Sequence, residues 1–366
     1  MRESYAVAVV LAFALALPTM AVAAPDLSCP TLPDEDGRVC KSASSGVDVA
    51  ARLCRNVGVS PIVCDAVDGE SASRARIDAY LLSQTHAAMD ARFHADDAKP
   101  IKLALWPSTH NSFNAEAYAP TLSGLDANQV YTIFDQLRMD VRAIEIDIHW
   151  WPSASGAGMA PVMCHAEDAG GGVHAGCTNE RLFGHGLAEL ASFLRQDDAA
   201  DEVVLLYVED HLDGEPAAYE AAASTLGELS ETILRPADTG RACADGLPLD
   251  LTRADALSRG KRLLVMASTC GEGTPWSGLV HRYAASVDQH GVEDLTPYPG
   301  CGGDSFAYGE KIVRVWEDAT WLTYMNEPQL TMTPEVASVA ARCGVGMIGF
   351  DLLDPEDGRL SAISAS

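Results

Sequence analysis

At 366 residues, 48% hydrophobic and 21% charged, the chain can bury at least one sizeable core, and its composition is not that of a disordered protein. A formal net charge of −27 argues against nonspecific binding to nucleic acid or to an anionic surface, because phosphate-rich partners are repelled at long range. A phosphate-bearing substrate then needs a local cation.

The chain opens with Met1-Arg2, an apolar stretch over 6–17, Pro18 and the small-residue triplet Ala21-Val22-Ala23, which predicts a signal peptide over 1–23. The apolar run is shorter than the roughly 20 residues that span a bilayer, so a secreted or periplasmic protein with no transmembrane segment in its mature form is expected. All ten cysteines follow the expected cleavage point. An even number in an exported chain predicts disulfides, and the absence of any C-x-x-C argues against zinc or dithiol chemistry. A bridge such as Cys164 to Cys177 is one of many pairings that stay open.

Residues 24–99 read as an acidic, cysteine-bearing extension, turn-rich at Pro33-Asp34-Glu35-Asp36-Gly37. It becomes helical over 74–93, where Ile77, Leu81, Leu82, Thr85, Ala88, Met89 and Phe93 recur at spacings of three and four. From 100 to 366 short apolar runs alternate with helical stretches. Strands are expected at 102–106, 143–149, 161–164, 203–208, 262–267, 312–316 and 346–350, with helices at 129–137, 186–195 and 334–342. This alternation predicts an α/β fold, a regular or distorted (β/α) barrel of the TIM type, with an open doubly wound sheet as the alternative.

In a barrel the C-terminal strand ends converge on one mouth, and here four successive ends carry polar groups: His110-Asn111, then Glu145, Asp147 and His149, then His165, then Glu209 and His211. In Ala143-Ile144-Glu145-Ile146-Asp147-Ile148-His149 the alternation is strict, so both acids and the histidine share one face. Inward-facing carboxylates are costly unless protonated, paired or bound to a cation. Glu209 adds a third acid and Asn111 an amide oxygen. An all-oxygen set suits a hard cation, Ca²⁺ or Mg²⁺, over zinc.

Trp106-Pro107-Ser108-Thr109-His110-Asn111-Ser112-Phe113 resembles the His-Asn motif that opens the catalytic barrel of phosphatidylinositol-specific phospholipases C. Arg142-Ala143-Ile144-Glu145-Ile146-Asp147 is similar to their Glu-x-Asp metal motif, and Val208-Glu209-Asp210-His211 to their third acidic ligand. His165 matches their second catalytic histidine. The resemblance covers roughly 101–211 and implies the calcium-dependent branch. It implies Ca²⁺, with Mg²⁺ second, on Asn111, Glu145, Asp147 and Glu209. It also implies Glu145 or Asp147 as proton acceptor, His110 as donor to the phosphoryl group and His165 as acid for the leaving oxygen. The substrate so implied is a phosphatidylinositol-type lipid, met in transient contact with a membrane surface.

A related phosphodiesterase acting on a sphingomyelin-type, glycerophosphodiester or soluble inositol phosphate substrate stays open, as does a non-catalytic calcium-binding barrel. His149 is placed near the acids by its parity, with orientation of an acid or no role as equal readings. Arg142 has the opposite parity and reads as structural, while His174 and His185 read as loop residues. Trp106, Trp150 and Trp151 suit either an apolar rim or the core. Arg314 and Lys261 are candidate phosphate-binding cations. No G-x-S-x-G or H-E-x-x-H motif supports a serine hydrolase or a zinc peptidase.

Overall fold

A computed structural model describes residues 70–118, 127–153, 158–168, 174–175, 181–295, 306–319 and 331–366. The expected signal peptide, the early cysteines Cys29, Cys40, Cys54 and Cys64, and Cys177 lie outside the described residues.

Among the described residues eight parallel strands form the frame: β1 Trp106–Thr109, β2 Ala143–Pro152, β3 Val204–His211, β4 Leu263–Ala267, β5 His281–Arg282, β6 Val287–Gly291, β7 Ile312–Trp316 and β8 Met347–Phe350. Their order in the sheet is β6-β7-β8-β1-β2-β3-β4-β5. The sheet curls into a distorted TIM-type barrel, with no pairing between β5 and β6 among the described residues.

Three differences from the expected strands have local causes. Pro100 starts a 3₁₀ turn, Ile101–Leu103, so the first strand begins at Trp106. The run at 161–164 is the end of Met159–Met163, which pairs antiparallel with β2 outside the parallel path. β5 has only two residues, and β6, with sequence VDQHG, has no apolar run; neither gives a strand signal.

The central strands have two buried faces with different partners. Ile144, Ile146 and Ile148 of β2, and Leu206 and Val208 of β3, join the core beneath the helices. The other face holds a second core made by Trp106, Ala143, Leu205, Leu264, Ile312 and Met347. These residues fill the lower barrel interior. Trp106 belongs to this core, with its indole N–H donated to the Ile101 carbonyl at 3.1 Å.

Helices α1 Glu70–Leu81 and α2 Gln84–Ala95 interrupt the periodicity expected over 74–93. Ser83 caps α2 by accepting from the His86 N–H at 3.1 Å, while Leu82 is 90% exposed at the break. Ile77, Tyr80 and Met89 nevertheless join the main core, and Phe93 meets Trp106 edge to face at 6.0 Å. Further helices are α3 Ile133–Arg138, α4 Phe183–Leu194, α5 Pro216–Gly227, α6 Arg253–Ser258, α7 Pro334–Arg342 and α8 Arg359–Ser364. Cys243 and Cys270 form a disulfide across 27 residues, and Cys164 and Cys343 each take part in a further disulfide.

Candidate active site

Moving up the inward face by two residues turns the apolar interior polar. Above Ala143 come Glu145, Asp147 and His149; above Leu205 come Tyr207, Glu209 and His211. Above Ile312 come Arg314 and Trp316, and above Met347 come Gly349 and Asp351. Asp147 pairs in register with Glu209, and His149 with His211. One carboxylate oxygen from each of Glu145, Asp147 and Glu209 lies within 4.8 Å of the others. Oxygens bound at about 2.4 Å on opposite sides of one cation are that far apart.

The three acids differ in their partners. Glu145 is buried and paired with the Arg314 guanidinium, which crosses the barrel from β7. Glu209 lies 3.3 Å from His211 Nε2, and that hydrogen bond is the chief reason its carboxyl falls below the usual range. Asp147 is buried, and its Oδ1 has no hydrogen-bond partner. Burial, reinforced by the charges of Glu209 and Glu145, pushes the Asp147 carboxyl well above the usual range. An orphaned acid oxygen in an all-oxygen cluster fits a hard divalent cation.

Asn111 lies one residue before Ser112, which ties the turn after β1 to the Glu145 main chain. Asn111 makes this turn with φ 45°, a left-handed conformation that asparagine tolerates better than most residues. The next residue, Ser112, bonds both main-chain groups of Glu145: its N–H donates to the carbonyl at 3.0 Å and its Oγ accepts from the amide at 2.9 Å. Asn128 Oδ1 accepts from Asn111 Nδ2 at 3.2 Å and from Asn114 Nδ2 at 2.8 Å. Asn114 Nδ2 also lies 3.4 Å from His165 Nδ1. The asparagine chain therefore joins His165 to the acid side of the mouth.

His110 sits between β1 and β8. Its Nδ1 is 3.1 Å from Asp351 Oδ2, and its ring packs on Trp316 with centroids 4.3 Å apart. Burial opposes the charged imidazole, but the Asp351 carboxylate outweighs it and raises the pKa. Burial likewise pushes the Asp351 carboxyl up to about 7, against the pull of His110. Gln129 Nε2 fixes the pair from below, donating to the carbonyls of His110 at 2.6 Å and Phe350 at 2.8 Å and to Asp351 Oδ1 at 3.1 Å.

The structure thus gathers His110, Asn111, Glu145, Asp147, Glu209 and, through Asn114, His165. Arg314 joins them, held on its far side by Tyr283 OH at 3.0 Å and Gln289 Oε1 at 3.4 Å. Its Nε–H is buried without a partner. Lys261 lies at the opposite end, just before β4, where its Nζ donates to the Glu231 carbonyl at 3.0 Å and sits 3.7 Å from Asp238.

His149 stacks on His211, with centroids 4.4 Å apart. Arg142 points outward into a two-pronged ion pair with Glu202 at 2.6 and 2.7 Å. His185 lies in the first turn of α4, not in a loop, and burial lowers its pKa to about 4. His174 lies in a two-residue strand. Trp150 is half-buried against the main core.

Asp351 was not singled out from the sequence, although it directly follows the 346–350 run and the strand-end pattern could have found it. Asn114 and Asn128 come from a loop with no periodicity, and no sequence signal marks them. The helix expected over 129–137 starts only at Ile133, because Thr132 caps it by accepting from the Asp135 N–H, so Gln129 falls in the preceding loop and turns to His110 and Asp351.

The model of the Rv2075c PI-PLC-like domain family matches residues 69–357. An uncharacterized protein of Mycobacterium tuberculosis strain H37Rv, Rv2075c, is 33% identical over 342 residues, covering 88% of this chain and 69% of that protein. Its counterpart in strain CDC 1551 matches equally. Among solved structures, the phosphatidylinositol-specific phospholipase C of Listeria monocytogenes superposes with a TM-score of 0.50 at 12% identity, covering 74% of this chain and 94% of that one. The phosphatidylinositol-specific phospholipase C of Staphylococcus aureus gives a TM-score of 0.47 at 12% identity, covering 74% of this chain and 95% of that one.

Proposed function

This chain belongs to the family of the Rv2075c PI-PLC-like domain, and on that premise we propose that it is a cation-dependent phosphodiesterase that cleaves phosphatidylinositol-type substrates. The observation that carries this reading is the buried, unpartnered Asp147 Oδ1 within the Glu145, Asp147 and Glu209 cluster, facing the same mouth as His110. Asn111, Glu145, Asp147 and Glu209 would hold the cation, Ca²⁺ first and Mg²⁺ second. When bound, it supplies positive charge that acidifies a nearby substrate hydroxyl and stabilises charge on the phosphoryl group.

The chain's own residues do the rest. Either Glu145 or Asp147 accepts the inositol hydroxyl proton; Asp147 is the better placed, since Arg314 already engages Glu145. His110, oriented by Asp351, donates to a phosphoryl oxygen, and the unpartnered Nε–H of Arg314 is a second donor of the same kind. His165 protonates the departing diacylglycerol oxygen. The hydroxyl oxygen bonds to phosphorus as the bond to diacylglycerol breaks, which yields a cyclic inositol phosphate.

The expected signal peptide and the disulfides support an exported protein. No described helix is long and apolar enough to cross a membrane.

The test incubates purified protein with phosphatidylinositol, glycerophosphoinositol and sphingomyelin, each with calcium or EGTA, and follows phosphate-containing products. Turnover of the inositol diesters that EGTA stops is the expected outcome. Undiminished turnover in EGTA removes the cation, and turnover of sphingomyelin alone moves the substrate. His110→Ala and His165→Ala should each lower kcat at least ~100-fold.

A further inference from the structure

Resting on the cation-dependent reading above, we propose that Arg314 is a tethered counter-ion that shares Glu145 with the divalent cation and thereby sets the affinity of the site. The acid cluster is not neutralised by chance surface pairing. Arg314 is 2% exposed and reaches Glu145 from β7, with β8 and β1 lying between their strands in the sheet. Its guanidinium is fixed from behind by Tyr283 and Gln289, and Tyr283 OH in turn donates to Gln289 Oε1 at 2.5 Å. Tyr207 stacks on Tyr283 at 3.8 Å and walls in the same space. A long side chain so braced has little freedom to leave.

Burial makes the competition strong in both directions. Three carboxylates without a cation repel one another in a space with little water, and Arg314 relieves part of that cost at Glu145. Asp147 gains nothing from a direct bond, which is why its Oδ1 stays unpartnered. A divalent ion drawn to Asp147 and Glu209 must then approach a fixed guanidinium across Glu145 and is repelled by it. The chain therefore keeps its acid cluster folded without metal and binds a divalent ion more weakly than the acids alone would.

Two measurements on wild type, Arg314→Met and Arg314→Met/Glu145→Gln test this: calcium binding by isothermal titration calorimetry, and thermal midpoint with and without calcium. Expected for Arg314→Met is at least a tenfold lower calcium Kd, with a midpoint that drops without calcium and recovers with it. Adding Glu145→Gln should remove the gain in affinity. Calcium binding to wild type with no tightening in Arg314→Met overturns the counter-ion role alone. Binding by the variant but not by wild type supports that role and overturns calcium use by the native chain. No binding by either overturns both.

Discussion

Glu116, on a turn after β1, is buried with Oε2 unpartnered, and burial raises its pKa to about 8. The unfolded chain ionises this acid near its ordinary value of 4.5, while the folded chain keeps it protonated up to about 8. Its raised folded pKa means that stability is fully present below about 4.5 and is lost as pH rises to about 8. Glu116→Gln should therefore match wild type in urea unfolding at pH 4 and exceed it by roughly 2–4 kcal/mol at pH 8.5. Equal stability at both values would show that water or another group serves Glu116. Asp351 gives a second residue-level prediction, because in the proposed reaction it would act only through His110, which it holds at 3.1 Å. Asp351→Asn should lower kcat by about 100-fold with KM nearly unchanged, and a rise in KM alone would make Asp351 a substrate contact instead.

At the scale of elements, the site depends on how closely α4 packs over β2. A Cβ at Gly186 would meet Met163 Sδ at 2.9 Å and Ile146 Cδ1 at 3.1 Å, and Ile146 lies between Glu145 and Asp147 in sequence. Overfilling this contact pushes on the strand that carries both acids. Gly186→Val should cost about 1–3 kcal/mol in chemical unfolding and weaken calcium binding as well. Unchanged stability would mean that α4 slides freely on the sheet. The helices were legible where apolar residues repeat, as at Pro334–Arg342, which is found as expected. The break at Ser83 was not, because the side-chain spacing continues through it while the backbone does not.

For the whole molecule, the charge of −27 bears on how substrate is met. Repulsion from an anionic vesicle extends about 30 Å at 0.01 M salt and about 8 Å at 0.15 M. Turnover of phosphatidylinositol in anionic vesicles should therefore rise several-fold between these salt levels, while turnover of soluble glycerophosphoinositol should change little. A fall with salt on vesicles would reveal a local basic contact surface.

Strand alternation alone determined that Glu145, Asp147 and His149 share a face, because side chains along a strand point to opposite sides by geometry that needs no partner. It likewise placed Arg142 outward, and the strand-helix rhythm predicted the barrel. Tertiary structure decided what those acids meet. Arg314 is 169 residues from Glu145, and Asp351 is 241 residues from His110. No local pattern encodes such pairs, since they exist only once the sheet curls and distant strands face one interior. An inward acid read from sequence asks for a cation; only the folded barrel shows that one of them already has a guanidinium and that Asp147 does not.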